Sequence, residues 1–432
     1  MREVVMSYGR AGLQVRLDDA WQTDVIQKPE MPVLADSPAA LEAALESPVS
    51  SPDLAQLAAR ATRACIVICD ITRPVPNGVI LPVLVRRLVA AGMRPEAITI
   101  LIATGLHRPN EGAELEAVVG DPTVARTIRV VNHFATRDAE HIMLGQTTRG
   151  TPARLDRRLV EADLRIVVGL VEPHFMAGYS GGRKLLAPGC AHADTITRIH
   201  HVRLLEHPSA DNAVLDGNPV HDEILQIARM AGPVYAVNTV LDEQRRISFV
   251  NFGALEASHL EAVACMRRYA EHEIHRDYDV VLTSSAGYPL DLTYYQTVKG
   301  MVSALGALRP GGRLFIVSEC AEGIGSKPFR DAQRQLAKNG PEAFLAYLHS
   351  LPQAPVDAWQ TEMLLKALRH GSVHLFSGKL SDADWADTGV NRVQNLDAEL
   401  AAAVATSRDH SLAVIPEGPY VIPVARKNRG NG

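Results

Sequence analysis

Arg165-Ile166-Val167-Val168-Gly169-Leu170-Val171 runs directly into Glu172-Pro173-His174-Phe175-Met176-Ala177-Gly178-Tyr179-Ser180-Gly181-Gly182-Arg183-Lys184-Leu185-Leu186-Ala187-Pro188-Gly189. The first seven residues form a short, continuous apolar run of the kind that makes a buried strand. Residues 172–189 are too rich in glycine to be a helix and too apolar to be an ordinary surface loop. Glycine lets a backbone approach a ligand closely and aim N–H groups at an anion. Lys184, flanked by Gly182 and by Leu185-Leu186-Ala187-Pro188, reads as a side chain held inside, and a partly desolvated lysine loses its charge easily and becomes a nucleophile. The phosphate-loop pattern requires Gly before Lys and Ser or Thr after it; Arg183 and Leu185 stand there instead, which excludes a nucleoside-triphosphatase reading.

Outward from that stretch, strands are expected at 65–69, 98–103, 128–131 and 165–171, separated by helical patterns such as the Leu84, Leu88, Ala91 face. Strand and helix alternation argues for an α/β fold with largely parallel sheets. Each expected strand ends in residues able to do chemistry. The first ends in Asp70-Ile71-Thr72-Arg73-Pro74, the second in Thr104-Gly105-Leu106-His107, the third in Asn132-His133, and the fourth in Glu172-Pro173-His174 with the glycines and lysine beyond it. Ligands of open α/β sheets bind beyond the carboxyl ends of the strands, so these loops should converge on one crevice.

A helix from 194 to 205 is expected next, with Ile196, His200 and Leu204 on one face, then strands at 235–241 and 247–252 and a helix over 256–272. A domain boundary is placed near 275, giving an N-terminal α/β domain over 1–275 and a C-terminal α/β domain over 276–432, with the active site expected in the cleft between them. The second half repeats the layer logic with strands at 279–283, 313–318 and 373–377, and the proline-interrupted tail, 412–425, could pack back on the first domain.

At 432 residues the chain is long enough for two or three cores, and a net charge of −5 leaves no basic footprint for nucleic acid. Five cysteines in mostly apolar surroundings do not make a disulfide framework, and Cys65 and Cys69 are not a CxxC pair. The first 17 residues lack the plan of a signal peptide, and Arg86-Arg87 interrupts the longest apolar candidate for a membrane span, so a cytoplasmic protein is expected.

Candidate functional residues each admit a plainer reading. Asp70 to Pro76 is either a rigid turn or, with Asp and Arg together at a strand end, a grip on ribose and phosphate. His107 and His174 are either solvated loop residues or an acid/base pair on neighbouring strand ends. His200 and His201 offer imidazoles to a metal, but no HExxH or cysteine cluster accompanies them, which argues against a closed structural zinc site. Gln296 and Lys299, three residues apart, form either an exposed polar face or a grip on a carboxylate.

Taken together, Asp70-Ile71-Thr72-Arg73-Pro74, Ala103-Thr104-Gly105-Leu106-His107, Glu172-Pro173-His174 through Gly181-Gly182-Arg183-Lys184, His200, and Gln296 with Lys299 resemble the lactate racemase family, whose members use a nickel-pincer nucleotide. The resemblance covers nearly the whole chain. It implies that Lys184 is covalently bound to the cofactor and that His200 is the protein ligand to nickel, the lysine-to-histidine spacing favouring His200 over His201. It implies that Asp70, Ile71, Thr72 and Arg73 hold the nucleotide, that His107 and His174 are the acid/base pair, and that Gln296 and Lys299 contact substrate. Trp359 is similar to a further landmark of that family. The implied reaction is racemisation or epimerisation at C2 of a 2-hydroxy acid. The C2 hydrogen would leave as hydride to the cofactor while a histidine takes the hydroxyl proton, and the planar 2-keto acid would be reduced from the other face. The implied partners are a small 2-hydroxy acid and the proteins that synthesise the cofactor, with no nucleic acid and no membrane. Two rivals are an enzyme in which Lys184 forms an imine with a carbonyl compound, and a non-catalytic protein that only binds the nucleotide.

Overall fold

The computed structural model describes residues 2–425, which divide into two compact units. One comprises residues 30–200 and 207–268; the other comprises residues 2–29, 201–206 and 269–425.

The first unit is built on a six-stranded sheet in the order Ile247–Ala254, Tyr235–Leu241, Leu164–Leu170, Ala64–Cys69, Ile98–Ala103, Arg129–Asn132. All neighbours run parallel except the edge strand Ile247–Ala254, which folds back as a hairpin on Tyr235–Leu241. Parallel strands covered on both faces must be apolar throughout, which is why Ala-Cys-Ile-Val-Ile-Cys and Leu-Arg-Ile-Val-Val-Gly-Leu form its centre. Ile66, Ile68, Ile100, Ile102, Ile166 and Val168 pack on Ile80, Leu84 and Leu88 of the helix Asn77–Ala90. Full burial of each such side chain contributes about 1.5–3 kcal/mol. In chain order Ala64–Cys69 is the first strand of this sheet and is flanked by the second, Ile98–Ala103, and the fourth, Leu164–Leu170. The direction of winding therefore reverses between Ala64–Cys69 and Leu164–Leu170, and a crevice opens at their carboxyl ends.

The second unit carries a fully parallel six-stranded sheet in the order Asn391–Arg392, Ser372–Phe376, Leu308–Val317, Tyr278–Ser284, Ser411–Ile415, Gln22–Val25. Two further segments belong to it that a cut at 275 assigns elsewhere. Gln22–Val25 pairs with Ser411–Ile415, and the hairpin Arg2–Met6 with Leu13–Leu17 packs Val4, Met6, Val15 and Leu17 against Val280, Leu282, Leu412 and Val414. In the tail, Ile422–Ala425 pairs in parallel with Glu271–Ile274 of this same unit.

One expected element is broken. In place of a single helix over 194–205, the helix Ala193–Ile199 ends at His200 and a second turn, Val202–Leu205, starts at His201. The Ile196 carbonyl accepts from both the backbone N–H of His200 at 3.2 Å and its Nδ1–H at 2.8 Å, a local bond that competes with helix continuation. His201 adopts an extended backbone, and its Nδ1 accepts from the Arg203 N–H to cap the new turn. Among the described residues no helix is long and apolar enough to cross a membrane.

Candidate active site

The loop after Leu164–Leu170 is folded hard against the strand it leaves. Ser180 Oγ donates to the Leu170 carbonyl at 2.7 Å and accepts from the Glu172 N–H at 3.0 Å, closing the loop at its base. Gly181 and Gly182 adopt φ of +75° and +49°, and a Cβ on Gly181 would lie 2.9 Å from the Leu170 carbonyl oxygen. That return delivers the single turn Gly182–Leu185, and with it a half-buried Lys184, to the mouth of the crevice.

Lys184 Nζ stands 3.0 Å from His174 Nε2. His174 Nδ1 in turn accepts from the N–H groups of Met176 and Ala177, both at 3.3 Å.

On the neighbouring strand ends a second histidine is held differently. His107 Nδ1 lies 2.6 Å from Asp70 Oδ2, and its side chain is 62% exposed while Asp70 is buried. Thr72 donates to the other Asp70 oxygen from its backbone N–H at 3.2 Å and its hydroxyl at 2.5 Å. Burial opposes ionisation of Asp70, but the hydrogen bond and charge of His107, with help from Thr72 and Arg73, outweigh it and hold the carboxyl below its usual range. An ionised Asp70 fixes the Nδ1–H tautomer of His107 and leaves Nε2 as the base. Arg73 reaches Glu172 at 3.5 Å, so the loop after the first strand is tied to the loop after the fourth. Ile71 offers an exposed side chain, and its N–H donates to Asn110 Oδ1 at 3.3 Å.

His200 is half-buried at the end of the helix Ala193–Ile199. Donation of Nδ1–H to the Ile196 carbonyl puts the ring's lone pair on Nε2, and a carbonyl behind the ring in this way orients imidazoles that bind metals. Burial pushes its pKa below the ordinary value, against the opposing pull of the Ile196 carbonyl, so the ring is neutral near pH 7, and Lys184 lies within its electrostatic reach. His201 is directed elsewhere: its Nε2–H donates to the Leu351 carbonyl at 3.0 Å. Among the described residues no group of three or more His, Cys, Asp or Glu side chains is arranged to hold a metal ion. A metal bound at His200 would therefore need donors from another molecule as well.

Gln296 and Lys299 belong to the second unit, on the helix Tyr294–Ser303 that follows the strand Tyr278–Ser284. Gln296 Oε1 is buried with no hydrogen-bond partner, an orphaned amide that a ligand could satisfy. The same helix is braced by Trp359, whose Nε1–H donates to Tyr295 Oη at 3.2 Å, and by Gln360, whose side chain donates to the Tyr295 carbonyl at 2.5 Å.

The structure thus brings together Asp70 with His107, Arg73 with Glu172, and His174 with Lys184 at one switch point. Three contributions escape a reading of the sequence: the Asp70–His107 pair, the tie from Arg73 to Glu172, and the complete burial of Arg183. Arg183 sits between glycine and lysine and carries no local mark of its fate.

Residues 8–213 match the family model described as the lactate racemase N-terminal domain, and residues 274–423 that of the lactate racemase C-terminal domain. The chain is 32% identical over 387 residues to a lactate racemase of Lactiplantibacillus plantarum, covering 88% of this chain and 90% of that one. It is 31% identical over 391 residues to a lactate racemase of Thermoanaerobacterium thermosaccharolyticum, covering 88% of each. Its fold is similar to the solved lactate racemase apoprotein from that organism, with a TM-score of 0.90, 28% identity, and coverage of 99% of this chain and 100% of the other. A Thermotoga maritima protein of solved structure shares the fold at a TM-score of 0.65 and 18% identity, covering 88% of this chain and 100% of that one.

Proposed function

The chain belongs to the lactate racemase family and is an isomerase of the racemase class, and from that premise we propose that it inverts C2 of a small 2-hydroxy acid with a nickel-pincer nucleotide attached at Lys184. The observation that carries the proposal is the pairing of the half-buried Lys184 amine with His174, within electrostatic reach of a neutral His200 whose Nε2 would be the ligand nitrogen. The donor set fits the group. Nickel accepts imidazole, an amine accepts acylation by a carboxyl-derived cofactor, and Asp70, Thr72 and Arg73 at a helix-flanked strand end suit ribose and phosphate. Bound there, the group would supply a reversible acceptor for the C2 hydrogen.

The rest falls to the chain's own side chains. His107, its tautomer fixed by Asp70, would take the hydroxyl proton from one enantiomer, and His174 from the other. In either direction one histidine would take the hydroxyl proton and the other would supply a proton to the keto oxygen, so the pair would have to pass a proton back, directly or through solvent, before the next turnover in the same direction. Lys299 would hold the carboxylate as a point charge, and Gln296 would orient the acid by accepting from its hydroxyl at the otherwise unpartnered Oε1. The partners are then the 2-hydroxy acid and the proteins that make and deliver the cofactor.

Protein matured alongside the cofactor-synthesis proteins should racemise at least one acid in a panel of enantiopure 2-hydroxy acids. Lys184→Ala should abolish both turnover and covalent attachment by intact mass, and His200→Ala should lose nickel. A Lys184→Ala protein as active as its parent would sink the proposal. An amine in this position also suits imine formation, and borohydride treatment that trapped a carbonyl compound on Lys184 in place of a thioamide species would favour that alternative.

A further inference from the structure

Arg183 lies on the other side of the lysine turn from the chemistry, and its surroundings are unusual for a guanidinium. It is 2% exposed, and among the described residues no carboxylate pairs with it. Nη2 donates to the carbonyls of Ala177 at 2.8 Å and Tyr179 at 3.1 Å. Nη1 lies 3.2 Å from His259 Nε2, but that nitrogen is 2.7 Å from the Ser180 carbonyl and must donate to it, so it has no lone pair for the arginine. Nε is buried with no partner at all, and so is His221 Nδ1.

These groups line one niche, between the turn Gly182–Leu185 and the helices Pro219–Met230 and Leu255–Ala270. It has room for one water-sized particle. Burial pushes the Arg183 pKa down to about 9, which leaves it a cation near pH 7, while burial and the charge of Arg183 push His221 and His259 down to about 3, which leaves them neutral. Glu256 stands at the rim, but its carboxylate is held by Arg229 at 2.7 and 2.9 Å. The niche therefore carries one unbalanced positive charge, unused N–H directions on Arg183 and a neutral imidazole able to take the Nδ1–H tautomer. An uncompensated buried charge is strongly destabilising.

We propose that this niche is a binding site for a single small monovalent anion of the halide class, held by Arg183 and His221, which neutralises the arginine and fixes the turn that presents Lys184. A divalent oxyanion would overcompensate the single charge. A water could accept from Arg183 but would leave the charge in place. The inference is independent of the racemase reaction.

Crystals of the cofactor-free protein soaked in sodium bromide should show an anomalous peak in the niche, next to Arg183 Nε and His221 Nδ1. Thermal unfolding in sodium chloride should shift upward by about 2–4 °C relative to sodium gluconate at equal ionic strength, levelling off as the site fills. Leu225→Phe, which fills the niche from the helix Pro219–Met230, should erase that difference; should it not fold, His221→Leu should do the same. A niche holding only water in bromide, a bromide peak without chloride-specific stabilisation, or a chloride effect that survives in these variants would each overturn the proposal.

Discussion

Asp70 stands at the end of the central strand with two claims on it, the nucleotide suggested by its neighbours Thr72 and Arg73 and the imidazole of His107 that it touches at 2.6 Å. The second claim can be isolated. Asp70→Asn keeps the shape but offers an amide that can donate to Nδ1 and stabilise the wrong tautomer of His107. Removing an orienting partner of this kind typically costs about 10–100-fold. Turnover per bound nickel is expected to fall by about that factor while circular dichroism stays unchanged. Were the loss to track nickel content alone, Asp70 would be a cofactor contact and nothing more. None of this could be read from spacing, because Asp70 and His107 are 37 residues apart and meet only through strand order. His174 and Lys184, by contrast, lie on one loop, and the glycines between them advertise a backbone folded tightly on itself.

The loop from Glu172 to Gly189 makes the corresponding argument for an element. A Cβ at Gly182 would sit 2.8 Å from Cδ2 of the His259 ring, in a backbone conformation that other residues adopt only under strain. Gly182→Ala should therefore destabilise the first unit by about 1–3 kcal/mol in urea unfolding and cut covalent loading of Lys184 by displacing its turn. An alanine variant with parental stability would mean that the turn is not packed against His259. Strands such as Ala64–Cys69 and Leu164–Leu170 are legible because burial on both faces demands unbroken apolar runs. Gln22–Val25 is not, since a polar edge strand of Gln, Thr, Asp and Val is defined by its partner Ser411–Ile415 and not by its own pattern. The break at His200 is hidden for a related reason: no proline or glycine marks it, and the periodicity runs straight through a site where a side chain takes a backbone carbonyl.

At the level of the whole molecule, the two units differ in which titratable groups they bury, and their stabilities should answer to pH in opposite directions. In the first, His133 and His259 are both held at about 3, chiefly by burial, against an ordinary value of 6.5. The unfolded chain binds protons that the folded unit refuses, so stability is complete above about pH 6.5 and falls as pH drops toward 3, by roughly 1.4 kcal/mol per pH unit for each ring. In the second unit Glu362 is 1% exposed with an unpartnered Oε1, and burial, reinforced by the charge of Glu206, raises its carboxyl from 4.5 to about 8. There the folded unit keeps a proton that the unfolded chain releases, so stability falls as pH rises from 4.5 to about 8. Hydrogen exchange followed by mass spectrometry separates the two, because peptides from 64–170 and from 278–415 report on different sheets. Lowering pH from about 7 to 5, after correction for intrinsic exchange rates, should weaken protection in the first set, and raising it from about 6.5 to 8 should weaken it in the second. Glu362→Gln keeps the shape of the protonated acid without its titration and should abolish only the alkaline loss. Equal responses in both sets, or an alkaline loss that persists in Glu362→Gln, would show that these buried groups do not control the pH limits of the fold.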